Sequence, residues 1–364
     1  MDTNNSASIE NNNVASSDSV NILVPKVENL EGVVLDPVIK DISSDEGIEK
    51  SFPDYHVKII EGEDNGKIVT VYSGGINFES GDRVYIQKTR EHDGSEYYVL
   101  GEAVRYNSIL IALALFVGVV VLAFGKTGLR SLLSLLLSLM IILFVLLPLT
   151  LKGYNPVLVA GIVSALLLSF VTLITHGRNR VSYSALLGCL SSVVITIILS
   201  YLFITEAKIS GFIDETSTYL FYSTGGEINF TLLVIASIII GVIGVVDDAA
   251  ITQASSVMQL KKANPNLSKR EYYKRAMKIG ESHAGAMVNT LVLAYIGSAL
   301  PVALLFYTTD MSPLFIANKE LVATEIFRML IGSIGLLLAI PLTTLIATYF
   351  VSSDSTSLHE GHTH

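Results

Sequence analysis

One cysteine, Cys189, occurs in 364 residues, and it lies in an apolar run. This excludes disulfides and multi-cysteine metal sites. Charge is scarce, at 16% of residues, against roughly 25% in a typical soluble chain. Basic residues are the minority, 24 against 33 acids, so the chain lacks the basic face that nucleic acid would require. No G-x-x-x-x-G-K-[ST] loop is present, which argues against ATP hydrolysis by this chain. No G-x-S-x-G occurs, and Cys189 has no base near it in sequence, so serine or cysteine hydrolase chemistry finds no support. Nothing in the sequence asks for a cofactor.

The scarcity of charge is uneven. The first 107 residues hold 20 acids and 9 bases, whereas the remaining 257 hold 13 and 15. The mean hydropathy of +0.55 therefore comes from the part after Asn107. An acidic, water-soluble N-terminal part joined to a polytopic membrane domain fits that asymmetry. Residues 1–50 are rich in Asn, Ser and acids, bury little apolar surface and are expected to be disordered. Within them, Asn21–Val27 and Gly32–Ile39 could pair locally as strands. Residues 51–105 alternate in period two: Tyr55, Val57 and Ile59, then Ile68, Thr70 and Tyr72, then Val84 and Ile86, then Tyr97, Tyr98 and Val99. Turn clusters at Glu63–Gly66, Ser73–Gly75, Ser80–Asp82 and His92–Gly94 separate these runs. The pattern predicts a small extracytoplasmic β-barrel of four or five strands, acting as a spacer or as a binding module.

Seven segments in 108–350 are long enough to span about 30 Å of hydrocarbon: 108–125, 129–151, 155–175, 183–204, 230–256, 284–307 and 325–350. Alternate loops separate the bases. One set holds Lys126, Arg130, Arg178, Arg180 and seven bases from Lys261 to Lys278. The other holds Lys152, Lys208 and Lys319. By the positive-inside rule the first set is cytoplasmic, the N-terminal domain lies outside, and the tail 351–364 lies inside. Exporting about 107 residues calls for a signal or an anchor, so either a segment upstream of Met1 is expected, which is the preferred reading, or the first helix exports its own N-terminal tail. Three tail histidines, His359, His362 and His364, have no rigid frame, and no metal site is assigned to them.

The first four spans are dominated by Leu, Ile and Val and read as lipid-facing scaffold. The last three carry small and polar stripes. Span five has Gly241, Gly244, Asp248, Thr252, Ser255 and Gln259 at steps of three and four, with Asp247 about 100° around the helix. A carboxylate in a membrane helix costs roughly 2.5–3.5 kcal/mol on insertion scales. Either both aspartates mark the inner interface, or they form an ion or proton site, or they make a structural hydrogen bond. Span six shows His283, Ala286, Thr290, Ala294, Gly297 and Pro301, with Asn289 beside Thr290. Its rise places Asn289 at about the depth of Asp248, which predicts an Asp248–Asn289/Thr290 cluster, close helix packing through small residues, or both. Span seven repeats the pattern with Glu325, Arg328, Gly332, Gly335, Ala339 and Thr343. Glu325 and Arg328 are placed to form a salt bridge, and Pro341 is expected to kink the helix. The capping pattern at Ser268–Glu271, followed by Tyr272, Ala276 and Ile279, predicts an amphipathic helix on the inner leaflet or an ordinary basic loop.

Three motifs carry a family resemblance: Gly241–Ser256 with its Asp247-Asp248 pair, Met287–Gly297, and Glu325–Gly335 followed by Pro341-Leu-Thr343. With Gly81-Asp82-Arg83-Val84 and the step at Arg105, residues 55–350 resemble the YibE/F family of multi-pass bacterial membrane proteins. The resemblance puts Asp248 on the family's aspartate, while Asp247 takes a place that is usually apolar there. It implies a bacterial plasma-membrane location. Seven spans and a one-sided polar face suggest a homo- or hetero-oligomer, and the resemblance makes a related YibE/F-type chain the natural partner. Residues 230–350 also resemble, more faintly, the SecD/SecF half of the resistance-nodulation-division exporters, in which protons cross near an intramembrane Asp.

Two functions compete. One is a proton- or ion-coupled secondary transporter or transport accessory centred on Asp248. The other is a non-transporting assembly protein acting through its external β-domain. An intramembrane aspartyl protease would need facing carboxylates on two helices, and Asp247 and Asp248 share one. The expectation is therefore a non-enzymatic membrane protein.

Overall fold

The computed structural model describes residues 26–38, 54–72, 76–90 and 95–357, with side chains described from Glu28 onward and not at Val38 or at 351–357. The remainder of the 1–50 segment, the turns at Ser73–Gly75 and His92–Gly94, and the histidines of the tail lie outside the described residues. The chain divides into two compact units, Met1–Phe116 and Val117–His364.

The first unit is an antiparallel sheet of β1 (Lys26–Val38), β2 (Asp54–Ile59), β3 (Ile68–Tyr72), β4 (Arg83–Arg90) and β5 (Glu96–Ala103), in the order β3-β2-β1-β4-β5. It curls into a half-barrel whose edge strands β3 and β5 approach each other. The expectation of disorder through residue 50 is corrected over Lys26–Val38, which forms the central strand, paired on both sides. Leu30, Gly32 and Val34 are buried, with Val33 and Leu35 half-buried on the other face, so the local pairing expected at Gly32–Ile39 is present as far as Val38. Lys26, Glu28, Asn29 and Glu31 dilute the apolar pattern before it. Leu30, Val34, Tyr55, Val57, Ile59, Val84, Ile86 and Leu100 fill the core. Gly32 leaves room where the sheet closes, since a Cβ there would stand 2.6 Å from Val57 Cγ1. In β3 the inward residues are Val69 and Val71, with Ile68 and Tyr72 exposed. This is the opposite face from the one the alternation suggests, because a strand with apolar residues on both faces leaves its register open.

The second unit is helical. Helix α1 (Tyr106–Ile141) runs into a π-turn (Ile142–Leu146) and α2 (Leu147–Leu151). Then follow α3 (Pro156–His176), α4 (Arg180–Glu206), α5 (Glu215–Ser223), α6 (Phe230–Ala263), α7 (Lys269–Ser298), α8 (Leu300–Tyr307), α9 (Pro313–Ala317) and α10 (Glu320–Ser357). Five stretches are long and apolar enough to cross a membrane: Tyr106–Leu151, α3, α4, α6 and Glu320–Phe350. There are six if α7 and α8, bent by 64° at Ala299, form one span. The expected seven differ in two places. Spans one and two run together without a loop and are broken only at Gly125, whose φ is 57°. Span six is split because Pro301 starts a new helix after Ala299. Gly128 shows how sharp the break at Gly125 is. A Cβ on Gly128 would stand 2.5 Å from the Val120 carbonyl oxygen, whereas eight residues of straight helix would separate the two by about 12 Å.

The connections fall at two ends of the bundle. At one end, Arg180 donates to the Phe350 carbonyl at 3.1 Å and the Lys269 ammonium lies over the Tyr349 ring. Ser134 and Thr175 share a hydrogen bond of 2.9 Å toward the same end. At the other end, Ser210 Oγ and the Gly211 N–H donate to the Glu320 carboxylate at 2.8 and 2.7 Å. The two loop sets separated by charge thus lie at opposite ends, one basic and one acidic.

Two expectations are corrected within the bundle. Span four is not lipid-facing scaffold. On α4, Ser184, Gly188, Ser192, Thr196 and Ser200 recur every four residues, all buried, and they pack α4 against α10. Ser192 Oγ donates to the Gly335 carbonyl at 2.6 Å, and Gly188 lies directly against Thr343. Nor is the Lys269–Lys278 stretch a separate helix on the leaflet. It is the first part of the continuous α7, with Tyr272, Ala276 and Gly280 buried. The Ser268–Glu271 capping box starts that helix.

Candidate functional site

Helix α6 begins at Asn229, whose side chain accepts from the Leu232 N–H at 3.0 Å. Val234, Ile235, Ile238, Ile239, Val242, Val246, Ala250 and Ala254 then form its buried face. Asp247 follows Val246 and turns toward α3 at the edge of this face. There the buried Thr172 hydroxyl donates to Asp247 Oδ1 at 2.8 Å. The preceding carbonyl, of Val246, accepts from Cys189 Sγ of α4 at 3.6 Å. Among the described residues Asp247 has no ion-pair partner.

Asp247 borders a cavity of about 400 Å³ between α1, α3 and α6. Ser131, Ser134 and Ser138 of α1 line it, together with Thr175 and His176 of α3 and Gly244 of α6. A Cβ on Gly244 would meet nothing within 4 Å, so this glycine adds to the open space. A water occupies about 30 Å³ of liquid, so the cavity has room for several beside the carboxylate.

Asp248 is exposed and opens elsewhere. It lines a wider cavity of about 770 Å³ with His176, Thr252, Ser255, Ser256 and Gln259 of the basic half of the bundle. The adjacent aspartates therefore face separate spaces, as the 100° step between neighbouring helical residues requires. The structure does not bring Asp248 together with Asn289 or Thr290. Both of these are exposed on α7, and Thr290 Oγ1 donates to its own helix at Ala286, 2.9 Å away. Helix α7 packs instead through Ala276, Gly280, Ala284 and Leu291, so the His283–Gly297 stripe faces outward. Thr252 is half-buried, and its carbonyl accepts from Ser256.

The remaining candidates, Gly297 excepted, are packing residues. Gly241 faces the Tyr295 hydroxyl, 3.1 Å from where its Cβ would be, while Gly297 meets open space. Gly332 and Gly335 lie against Val242. Arg328 pairs with Glu325 at 2.5 Å and donates to Ser237 Oγ of α6 at 3.2 Å.

Four residues absent from the sequence-derived set complete the arrangement: Ser134, Thr172, Thr175 and His176. Their signal was present, since Ser131, Ser134 and Ser138, and likewise Thr172, Thr175 and His176, recur at three and four. A fifth, Gln253, is buried and donates to the Ala276 carbonyl at 2.9 Å and to Thr344 Oγ1 at 2.7 Å, joining α6, α7 and α10. In the sequence it stands among Thr252, Ser255, Ser256 and Gln259, and its place one step off the stripe is what sets it apart. Among the described residues no three His, Cys, Asp or Glu side chains are grouped to hold a metal ion.

The family model described as YibE/F-like protein matches residues 112–353. The chain belongs to the YibE/F-like family. The matched range takes in all of the helical candidates above and starts inside α1, so the likeness expected from residue 55 is carried by the helical part. No curated protein and no solved structure matches the chain, and no match to the SecD/SecF half accompanies the family assignment. Family and apolar helices together describe a membrane-embedded protein in a lipid bilayer.

Proposed function

We propose that this YibE/F-like protein is a proton- or ion-coupled secondary transporter, or a transport accessory, and not an enzyme. Asp247 is the coupling carboxylate in this reading, and Asp248 lies in the access cavity. One observation carries it: Asp247 is held by a neutral hydroxyl, without a cation, beside a cavity lined by three serines, a threonine and a histidine. A carboxylate placed in that way at membrane depth is expensive unless it binds an ion or a proton. The emphasis thus moves from Asp248 to its neighbour.

The sharp break at Gly125 and the joined α7–α8 pair support seven crossings. The segregated bases support a cytoplasmic basic end in a bacterial plasma membrane, with the sheet domain outside. The outward Asn289 and Thr290 support an assembly in which a second copy or another YibE/F-type chain covers that face, because an unpaired amide is costly against lipid.

The test is infrared difference spectroscopy of the full chain in liposomes, combined with dissipation of an imposed pH gradient. A protonated-carboxyl band should titrate in wild type and in Asp248→Asn, and vanish in Asp247→Asn together with the gradient dissipation. A wild-type protein with no titrating carboxyl band and no gradient dissipation would overturn the proposal. The exposed Tyr85, Tyr97 and Val99 on the outer face of β4 and β5 favour the partner-binding alternative. There, deleting residues 51–105 would abolish function and Asp247→Asn would leave it intact.

A further inference from the structure

His176 is the last residue of α3, and it is the one residue that lines both cavities among the described residues. On one side lie Asp247, Thr175 and Ser134, and on the other Asp248, Thr252, Ser255 and Gln259. The two carboxylates are neighbours in sequence but open into different spaces, so a proton moving from one to the other needs a third group. An imidazole suits that role. In its neutral form one ring nitrogen donates and the other accepts, so it takes a proton at one nitrogen and gives up another from the opposite nitrogen.

The backbone at this point is anchored. The His176 carbonyl accepts from Asn179 Nδ2 at 2.7 Å. Gly177 follows with a φ of 77°, which turns the chain away and ends the helix. Asn179 also caps α4 by accepting from the Ser182 N–H at 2.9 Å. The side chain of His176 is thus carried on a fixed corner at the basic end.

We propose that His176 passes protons between the wider Asp248 cavity and the narrower Asp247 cavity, an inference that rests on the coupling role of Asp247. A proton from the Asp248 side, or from water there, adds to one imidazole nitrogen. The proton on the other nitrogen leaves to the Asp247 carboxylate, directly or through water. The ring returns to neutral, with its tautomer exchanged, and resets by rotation. The groups that line these cavities with His176 include Asp247 and Asp248 from α6 and Thr175 of its own helix, which shares a hydrogen bond with Ser134 of α1. Arg178 and Arg180 of the following turn, and Lys278 beside the cavity residue Ile279 on α7, add positive charge at this end.

The experiment uses the full chain in liposomes and follows the Asp247 carboxyl band after a pH jump. His176→Ala should keep the equilibrium amplitude of that band, which also shows that the protein is folded. It should slow the approach to equilibrium by roughly 10²-fold, the usual scale for a positioned acid–base group, and added imidazole should restore the rate. His176→Gln, which keeps polarity but cannot relay, should be slow as well. Wild-type rates in both variants would overturn the relay while leaving Asp247 as the coupling site. Absence of any Asp247 band in the wild type would overturn both.

Discussion

At Asp247 and Asp248 the difference between two identical side chains is set by one helical step. One is half-buried and meets Thr172 beside a narrower cavity, and the other is exposed and meets a wider one. Gln253 shows the same sensitivity to position. Its two hydrogen bonds join three helices with one amide. Gln253→Met, which keeps the volume, should destabilise the bundle by about 0.6–2 kcal/mol, the range for interhelical hydrogen bonds in membranes. Unfolding in mixed micelles would measure it, and an unchanged midpoint would show that these bonds are replaced elsewhere. Much of this site was hidden in the sequence for a physical reason. Ser138 bonds back to its own helix at the Ser134 carbonyl, as serines in any apolar helix do. A serine that lines a cavity and one that faces lipid therefore look alike until a second helix is placed beside them. The Asp247-Asp248 pair was plain to see, but which of the two is half-buried depended on α3.

Among the elements, apolar length was legible and breaks were not. Helices α3, α4, α6 and α10 follow from runs of Leu, Ile and Val, whereas the turn at Gly125 rests on one positive φ without a polar loop to announce it. If the chain reverses there, positions 126 and 152 are on opposite sides of the membrane. In a Cys189→Ala background, Lys126→Cys should react with an impermeant maleimide only from the cytoplasmic side and Lys152→Cys only from outside. Labelling of both from one side would rule out the reversal. The seam between α4 and α10 gives a second prediction. Gly188→Ala puts a methyl into Thr343 and should cost about 1–3 kcal/mol, as overpacking does. Gly297→Ala meets open space and should be neutral or gain up to about 1 kcal/mol from helix propensity. Thermal unfolding in one detergent would rank the two.

At the scale of the whole molecule, the two units rest on different physics. The bundle relies on close packing, whereas the half-barrel closes with charge. Lys88 of β4, its side chain buried, pairs with Asp64 and, at 3.1 Å, with Glu96 of β5. Arg90 pairs with Glu96 at 2.6 Å, and Lys67 donates to the Tyr98 hydroxyl at 2.7 Å. The hydrogen bonds from Arg90 and then Lys88 hold the Glu96 carboxyl down at about 2, and the Lys88 bond holds Asp64 below its ordinary value. Depressed carboxyls contribute stability that is complete above their unfolded values and is lost as pH falls through the folded ones. The sheet should therefore hold at pH 5 to 7 and loosen progressively from about 4.5 toward 2. Amide-exchange protection of β4 and β5 in the full chain would report this, and Glu96→Gln should weaken protection already at neutral pH and flatten its loss on acidification. Exchange that does not change with pH below 4.5 would exclude the charge seam as the closure.

The α4–α10 seam carries one more consequence. Its facing surfaces are rich in glycine and short hydroxyls, with the Phe203 and Phe327 rings stacked 6.3 Å apart across it. Among the described residues, Ser200 of α4 and Thr324, Ser333 and Thr343 of α10 keep buried oxygens without a partner. Gly188 seats Thr343 and Gly335 seats Thr196, so each notch holds a side chain of the opposite rod. Away from the Arg180 bond at the basic end, Ser192 is the one side chain, among the described residues, that grips the opposite backbone. It acts as a latch on rods already notched together: Ser192→Ala would leave their spacing and register intact and remove one tie between them.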